Sequence, residues 1–395
     1  MKVLLVHDYY QEYGGETVVY EVERRALRDA RVHIVEFARH NDELKQYGPL
    51  QKLSLPLRTL WAWDTQRTLR ELLERERPDI AHFSNTFPLI SPAAYRTCQQ
   101  AGVAVVQNLQ NHRLGCPAAT FYRDGHLCEE CHTRGLQRAV VHACYRGSRA
   151  ASATVASMLK LHRSLGTYAH EVDRYIAPSQ FVRDKLIETA GLPAARVVVK
   201  PNFMDDDPGV VAKLGDHALF AGRLVEYKGI LTLLSAVEPP HAPVPLELVG
   251  TGPLEAQVRE RAQVCRAEFV GGQTRGQTIE RIKRARVLVV PSLWYEGMPM
   301  VILEAFACGV PVVASRLGSM AEMIRHAENG LLFEPGDPSD LRRQLDWAFA
   351  HADEMHRFGK QARNDFEMHY SFAAGQRALL QIYRDVLTRR ETRSL

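Results

Sequence analysis

The chain has 395 residues, of which 46% are hydrophobic and 24% are charged. At roughly 100–200 residues per domain, this length predicts two folded domains and excludes a small module or a largely disordered chain. The formal net charge of +4 lacks the dense basic character of a protein dedicated to nucleic acid. There is no run of about 18 apolar residues, and Asp8 interrupts any signal-peptide core, so we expect a cytoplasmic protein.

Short apolar runs recur along both halves of the chain, with amphipathic stretches between them. This pattern is typical of parallel strands joined by crossover helices. In the first half the runs begin at Lys2, Arg31, Asp79, Gly102, Arg174 and Arg196. In the second half they begin at His217, Leu246, Glu268, Arg286, Gly309 and Gly330. The sequence therefore predicts two doubly wound, Rossmann-like α/β domains in series.

The boundary between the halves lies in the stretch Pro201–Asp216, which is rich in Pro, Gly and Asp and has no periodicity. We place a first domain at 1–202, a linker at 203–216 and a second domain at 217–370. Residues 371–395 are predicted to form a helix that crosses back to the first domain, because no strand follows it. Ligands of such sheets bind beyond the carboxyl ends of the strands, so two facing domains predict a central cleft.

Two glutamates follow the predicted strand RVLVVPS of the second half. Glu296 lies in the loop after it and Glu304 in the next helix. Their carboxylates can accept hydrogen bonds from sugar and ribose hydroxyls, while the backbone N–H groups of Gly297 and Met298 can meet anionic oxygens. The alternative is that both acids only complement the helix dipole.

Two cations follow the first strand of the second half, in the segment GRLVEYKGI. Arg223 ends the strand and Lys228 begins the next helix. Two fixed cations can neutralise a departing diphosphate without a catalytic metal. The alternative is ordinary surface charge.

The order of these motifs carries a family resemblance. GRLxxxKG, VGTGP, FVGG and EGMPMVILEAFACGVPVVAS follow one another over residues 217–335. This series closely resembles the donor domain of the retaining glycosyltransferases of family four, which have the GT-B fold of two Rossmann-like domains facing across a cleft. Seven residues separate Glu296 from Glu304, as in the E-x₇-E motif of that family.

The resemblance implies a role for each matched residue. Arg223 and Lys228 would bind the diphosphate of a nucleoside-diphosphate sugar, Glu296 the transferred sugar and Glu304 the ribose. The loop at Gln273 would border the base.

Candidate residues in the first half follow strands in the same way. Gly15 belongs to a Gly-Gly pair that opens a helix, and it matches the N-terminal double glycine of the family; a tight turn is the alternative. His112 follows the strand GVAVVQN and matches the active-site histidine of the family, which helps to hold the donor sugar. Asn85 and Thr86, after DIAHFS, are candidate acceptor contacts.

Four cysteines stand inside an insertion at about 112–146. They have the spacing C-x₁₁-C-x₂-C-x₁₂-C and are Cys116, Cys128, Cys131 and Cys144. Four thiolates can hold a structural Zn²⁺ ion. An iron–sulfur cluster or four unconnected thiols are the alternatives, and the family resemblance does not decide between them.

The stretch from Ser148 to Tyr168 is amphipathic and carries Arg149, Lys160 and Arg163. It predicts either a helix packed on the first domain or a peripheral contact with the inner membrane surface. The latter would suit a glycolipid acceptor.

Together these features predict a retaining glycosyltransferase that uses a glycan or glycolipid acceptor in cell-surface polysaccharide or glycolipid synthesis. A GT-B epimerase, a phosphorylase-like enzyme and a non-enzymatic zinc module are the alternatives. A nicotinamide oxidoreductase is disfavoured because neither half has G-x-G-x-x-G after its first strand.

Overall fold

The computed structural model describes residues 1–11, 14–241 and 244–394. Its strands are β1 (Lys2–Tyr9), β2 (His33–His40), β3 (Ile80–Asn85), β4 (Ala104–Asn108), β5 (Tyr122–Arg123), β6 (His126–Leu127), β7 (Arg174–Ala177), β8 (Val197–Val199), β9 (Ala218–Ala221), β10 (Leu246–Val249), β11 (Glu268–Gly271), β12 (Val287–Val290), β13 (Val312–Ser315) and β14 (Gly330–Phe333).

The α-helices alternate with these strands. They are α1 (Gly15–Asp29), α2 (Pro49–Leu60), α3 (Trp63–Glu76), α4 (Ala93–Gln100), α5 (Glu130–Thr133), α6 (Gln137–Val141), α7 (Arg149–Ser164), α8 (Thr167–His170), α9 (Gln180–Ala190), α10 (Ile230–Val237), α11 (Glu255–Cys265), α12 (Arg275–Arg284), α13 (Met300–Cys308), α14 (Gly318–Met323), α15 (Pro338–Ala350), α16 (Ala352–Asp365) and α17 (Phe372–Ser394). Among the described residues no helix is long and apolar enough to cross a membrane.

The chain forms two compact units. The first comprises residues 1–121, 129–205 and the chain from Gly375 onward. Its sheet is parallel throughout, in the order β2-β1-β3-β4-β7-β8. Alternate residues of β1 serve opposite faces of this sheet: Leu4 and Val6 enter one core, and Val3 and Leu5 enter the other.

The helix α17 completes the second of these two cores. Its residues Leu379, Tyr383 and Val386 are buried beside Val3 and Leu5 of β1. Burying such side chains stabilises the unit by about 1.5–3 kcal/mol each. The C-terminal segment is therefore part of the first unit.

A buried ion pair lies under α17 in the first unit. Lys200 and Glu23 are both almost fully buried, and Lys200 Nζ lies 2.8 Å from Glu23 Oε1. The other carboxylate oxygen accepts a hydrogen bond from Asn108 Nδ2 at 2.7 Å. Tyr383 brings its hydroxyl within 2.5 Å of Nδ1 of His82, which is also buried. These contacts satisfy polar groups that would otherwise be costly to bury.

The second unit comprises residues 122–128 and 206–374. Its parallel sheet has the order β11-β10-β9-β12-β13-β14. All twelve predicted strands are thus present, and the prediction of two doubly wound α/β sheets is confirmed.

One segment departs from the predicted division of the chain. We expected the whole insertion at 112–146 to belong to the first domain, but the β5–β6 hairpin groups with the second unit. Side-chain contacts explain this placement. The Tyr122 hydroxyl donates to Glu226 Oε1 at 3.4 Å, and the ring centroids of Tyr122 and Tyr227 are 6.1 Å apart.

Candidate functional site

The order of the second sheet determines where its site lies. The chain builds outward from β9 through β10 to β11 and then returns to place β12 on the other side of β9. Doubly wound sheets bind ligands at such a switch point, beyond the carboxyl ends of the two strands. Arg223 and Lys228 follow β9, and Glu296 follows β12. The sheet order therefore explains why residues distant in sequence meet.

A glycine brings the two loops of the switch point into contact. Gly229 has φ +70°, and a Cβ atom there would lie 1.7 Å from the backbone oxygen of Pro291. Any larger residue would separate the loops. Nearby, the N–H of Leu293 donates to the backbone oxygen of Tyr227 at 2.8 Å. The glycine after Lys228 is thus required by this close approach.

Glu296 is held in place by three polar contacts. Its Oε1 accepts hydrogen bonds from Lys228 Nζ at 2.7 Å and from Ser292 Oγ at 2.6 Å. The Ser319 hydroxyl donates to its backbone oxygen at 2.7 Å. Glu296 is 5% exposed, and a charged hydrogen bond is strengthened when water is excluded. The structure therefore pairs the two residues that the sequence assigned to the sugar and the diphosphate.

An aromatic group adjoins this pair. Lys228 Nζ lies 5.6 Å from the centroid of the Trp294 ring, and the Trp294 and Tyr227 rings are 5.0 Å apart. The contact between cation and ring restricts the lysine side chain. The sequence analysis did not identify Trp294 or Tyr227, although Tyr227 lies inside GRLVEYKGI and Trp294 lies in the loop just before Glu296.

Glu304 also has a cationic partner. Arg275 Nε donates to Glu304 Oε1 at 2.9 Å, and an amino nitrogen of Arg275 lies 3.7 Å from Asp206 Oδ1. Glu304 is 7% exposed. Arg275 begins α12, which is capped by the Thr274 hydroxyl. The sequence analysis missed Arg275, and its only sequence signal is its position just after a strand and a helix cap.

The remaining predicted residues of the second unit lie just after strands β9 and β11 or just before helix α13. Arg223 is exposed. Gln273 is half-buried, and its Nε2 donates to the Gly272 backbone oxygen at 2.9 Å. Gly297 and Met298 precede α13, whose N-cap is Pro299. They lie at the helix N-terminus, as the prediction of an anion contact requires.

In the first unit, the predicted residues lie at or near strand ends. Gly15 is the first residue of α1. His112 is 1% exposed, and its ring centroid is 5.4 Å from that of Phe121. Asn85 is 5% exposed, and its amide bonds to the backbone: Nδ2 donates to Asp8 O at 2.6 Å, and Oδ1 accepts from Phe87 N. Thr86 is half-buried. These contacts give Asn85 a structural role.

A buried carboxyl that the sequence analysis did not select lies beside Asn85. Asp8 is 0% exposed, and its Oδ2 accepts a hydrogen bond from Leu89 N at 2.7 Å. Burial is the largest effect on this group and raises the pKa of Asp8 to about 8. The carboxyl is thus mainly protonated near neutral pH.

The four cysteines of the insertion differ in burial and in the unit to which they belong. Cys116 is buried, and Cys128, Cys131 and Cys144 are half-buried. Cys128 belongs to the second unit, whereas the other three belong to the first. Within the described part of the chain, no group of three or more His, Cys, Asp or Glu side chains is placed to hold a metal ion. Zinc stays a prediction, which elemental analysis of protein purified without added metal would test.

The amphipathic stretch from Ser148 forms α7, and the Ser148 hydroxyl caps it. Its apolar residues Val155, Met158 and Leu159 are buried in the core of the first unit. This burial favours the interpretation as a packed helix.

Two parallel, doubly wound sheets in series are the architecture of the GT-B class. The chain belongs to the group 1 glycosyltransferases: residues 213–365 match the family described as Glycosyl transferases group 1, and residues 13–208 match Glycosyltransferase Family 4. The resemblance to a group 1 glycosyltransferase with the GT-B fold is confirmed.

An uncharacterized glycosyltransferase of Methanocaldococcus jannaschii is 28% identical over 178 residues, which cover 44% of this chain and 48% of the relative. The structure of sucrose-phosphate synthase from Thermosynechococcus elongatus has a TM-score of 0.71 and 19% identity, over 98% of this chain and 99% of that one. Anabaena HepE in complex with UDP has a TM-score of 0.67 and 17% identity, over 98% and 100%. The chain spans about half the length, or less, of the first curated relatives that it matches.

Proposed function

We propose that this protein transfers a sugar from a nucleoside-diphosphate sugar to a hydroxyl acceptor, with retention of the anomeric configuration. One observation carries the proposal. At the switch point of the second sheet, Glu296 and Glu304 are both buried, and each is held by a cation through a hydrogen bond of 2.7 Å or 2.9 Å. Two fixed carboxylates beside cations suit a ligand that presents hydroxyls and a diphosphate.

Each group has a distinct task in this proposal. Lys228 and Arg223 neutralise the diphosphate as the bond from the sugar to the phosphate oxygen breaks. Glu296 accepts hydrogen bonds from the transferred sugar, and Glu304 accepts them from the ribose. The acceptor oxygen bonds to the anomeric carbon, and its proton passes to the departing phosphate oxygen. No enzymic nucleophile takes part, and His112 keeps the contact to the sugar that the family resemblance implies.

The acceptor that we propose is a cell-surface glycan or a glycolipid. Membership of the family supports glycosyl transfer in general. The choice of acceptor comes from the sequence analysis, which predicts a glycan or a glycolipid. The base of the donor nucleotide has to be found by experiment. UDP is the first nucleotide to test, because the HepE structure contains it.

Thermal stabilisation by a panel of UDP, GDP and ADP sugars tests the donor site. A ligand at 100 times its dissociation constant adds about 2.7 kcal/mol to the free energy of unfolding. Glu304→Ala should abolish the stabilisation that the best ligand gives to the wild type. Equal stabilisation of both proteins would contradict the site. Release of free sugar phosphate or of an epimerised donor, without transfer, would instead favour the phosphorylase-like or epimerase alternatives.

A further inference from the structure

Arg113 brings a positive charge into the first unit, in the loop that follows β4. It is half-buried, and its Nη1 donates to the backbone oxygen of Pro117 at 2.9 Å. The Tyr10 hydroxyl is a second hydrogen-bond neighbour of the guanidinium. Among the described residues its Nε is buried without a hydrogen-bond partner, and no carboxylate forms an ion pair with Arg113. A cation removed from water without an ionic partner costs free energy.

Two aromatic rings hold this guanidinium in one orientation. Its central carbon lies 4.2 Å from the centroid of the Phe87 ring and 5.2 Å from that of the Tyr145 ring. The two rings meet edge to face with their centroids 5.6 Å apart, and Phe87 is buried. Contacts between a cation and aromatic rings stabilise the guanidinium, but they do not occupy its N–H donors. Arg113 is thus fixed in place with a donor to spare.

Glu16, in the first turn of α1, lies beside this arginine. Its Oε1 accepts a hydrogen bond from Asn111 Nδ2 at 2.7 Å, and Asn111 Oδ1 accepts one from the backbone N–H of Arg113 at 2.9 Å. In the described part of the chain, Glu16 Oε2 is buried and has no hydrogen-bond partner. Asn111 therefore connects an unfilled acceptor on α1 with an unfilled donor after β4.

The environment of Glu16 makes it a poor counterion for Arg113. Burial raises the pKa of Glu16, although the hydrogen bond from Asn111 and the charge of Arg113 act in the opposite direction. A raised pKa shifts the carboxyl toward its neutral form, so the charge of Arg113 is not fully balanced by it.

These groups lie where a parallel sheet binds its ligands. Glu16 follows β1, Phe87 follows β3 and Arg113 follows β4, and β3 lies between the other two strands in the sheet. All three residues thus stand beyond the carboxyl ends of neighbouring strands. His112, to which the family resemblance gives a contact with the donor sugar, directly precedes Arg113.

We propose that Arg113 binds the carboxylate or phosphate of an anionic acceptor sugar. The unfilled Nε–H donates to an oxygen of the anion, and a hydroxyl of the same sugar donates to Glu16 Oε2. The carboxylate and the phosphate offer the same chemistry to a guanidinium, namely negative charge shared by several oxygens. A buried cation and a buried acceptor side by side suit a ligand that carries an anion and hydroxyls together.

This inference rests on the proposed function and specifies the class of its acceptor. The anion is assigned to the acceptor because Arg113 belongs to the first unit, whereas Arg223 and Lys228, the residues proposed for the donor diphosphate, belong to the second. An acidic sugar on the donor is the other source of the same chemistry, and it is a separate arm of the test.

Two matched pairs of sugars test this recognition. The glycosides p-nitrophenyl glucuronide and p-nitrophenyl glucoside differ by one carboxylate, and glucose 6-phosphate and glucose differ by one phosphate. Ligand-observed NMR titration of the full chain compares the members of each pair at constant ionic strength, with the donor site filled by the nucleotide that stabilises the chain most. The anionic member of at least one pair should bind at least about tenfold more tightly, because charged hydrogen bonds are the stronger ones.

Three variants assign the preference to Arg113. Arg113→Gln should abolish it and keep the affinity for the neutral sugars. Arg113→Lys keeps the charge without the Nε–H and should retain only part of it, which stays informative if Arg113→Gln folds poorly. Arg183→Gln is the matched control and should keep the full preference. Arg183 is also a half-buried arginine of the first unit that donates to a backbone oxygen, that of Val197.

Donor sugars separate the two sources of the anion. Arg113→Gln should leave the ratio of the affinities for UDP-glucuronate and UDP-glucose unchanged. A selective loss of affinity for UDP-glucuronate would assign the anion to the donor and overturn the proposal.

Two further results would overturn it: a wild-type chain that prefers neither anionic sugar, and an undiminished preference in Arg113→Gln or Arg113→Lys. Failure of the proposed function looks different, because no donor sugar would then stabilise the chain. A chain that binds a donor and does not prefer an anionic sugar contradicts this inference alone.

Discussion

Arg275 Nε lies 2.9 Å from Glu304 Oε1, so a guanidinium holds the second of the two glutamates that seven residues separate. A carboxylate fixed at one oxygen can accept from a ribose without being reoriented. Arg275→Ala should therefore lower the affinity for UDP by about tenfold. Its affinity for 2′,3′-dideoxy-UDP, which lacks the ribose hydroxyls, should stay nearly unchanged. Calorimetric titration with both nucleotides measures this.

Glu304→Gln serves as the reference for Arg275→Ala. It should show the same selectivity, because it changes the proposed acceptor of the ribose hydroxyls itself. If Arg275→Ala weakens both nucleotides equally, Arg275 supports the local structure and does not position Glu304. If Glu304→Gln also lowers the affinity for both nucleotides equally, Glu304 does not bind the ribose hydroxyls.

The pair of Lys228 and Glu296 gives a second prediction. Lys228→Ala removes a cation from the proposed diphosphate site, at a cost of roughly 1.5–3 kcal/mol of binding, which is about 10- to 150-fold in affinity. Lys283→Ala is a matched control, because Lys283 also contacts a glutamate at 2.8 Å but lies on the surface of α12. Unchanged UDP affinity in Lys228→Ala would remove Lys228 from the site.

The sequence predicted the strands well and placed Lys228 and Glu296 just after two of them, for a physical reason. Buried parallel strands give continuous apolar runs, and the sheet order brings their carboxyl ends together. Arg275 was missed because its contact with Glu304 joins residues 29 positions apart on different helices, and an arginine after a helix cap has no distinctive pattern. The β5–β6 hairpin was misplaced because aromatic contacts, which have no periodicity, decide its unit.

A third prediction follows from Asp8. Its pKa of about 8 in the folded chain lies above the ordinary value of 3.8. Between pH 4 and 8 the folded state therefore keeps a proton that the unfolded state has lost, and the free energy of unfolding falls by about 1.4 kcal/mol per pH unit. Asp8→Asn removes this contribution. The stability of Asp8→Asn relative to the wild type should therefore rise with pH across this window.

Urea unfolding at several pH values measures that difference, and other titrating groups cancel in the comparison. Asp184→Asn, at an exposed position, controls for the loss of one charge. Parallel curves for Asp8→Asn and the wild type would show that the Asp8 carboxyl is ionised normally in the fold.

A fourth prediction concerns the buried pair of Lys200 and Glu23. Lys200→Met leaves the Glu23 carboxylate buried without its cation, which should lower the free energy of unfolding by about 3–5 kcal/mol. The double variant Lys200→Met/Glu23→Leu removes both charges and should recover part of this loss. Lys283→Met, at a partly exposed pair, should cost less than about 1 kcal/mol. A double variant no more stable than the single one would mean that packing, and not the charge, sets the cost.

The stereochemistry of transfer tests the mechanism apart from the binding residues. In the proposed reaction the acceptor attacks from the face that the phosphate leaves, and Lys228 and Arg223 stabilise the charge on that phosphate. The product should therefore keep the anomeric configuration of the donor. Proton NMR of the first glycoside formed gives this configuration directly. The glycoside itself does not mutarotate, so spontaneous mutarotation of free sugar does not affect the result. A glycoside of inverted configuration would require a base on the opposite face, and it would overturn the mechanism even if Glu296 and Glu304 bind the donor as proposed.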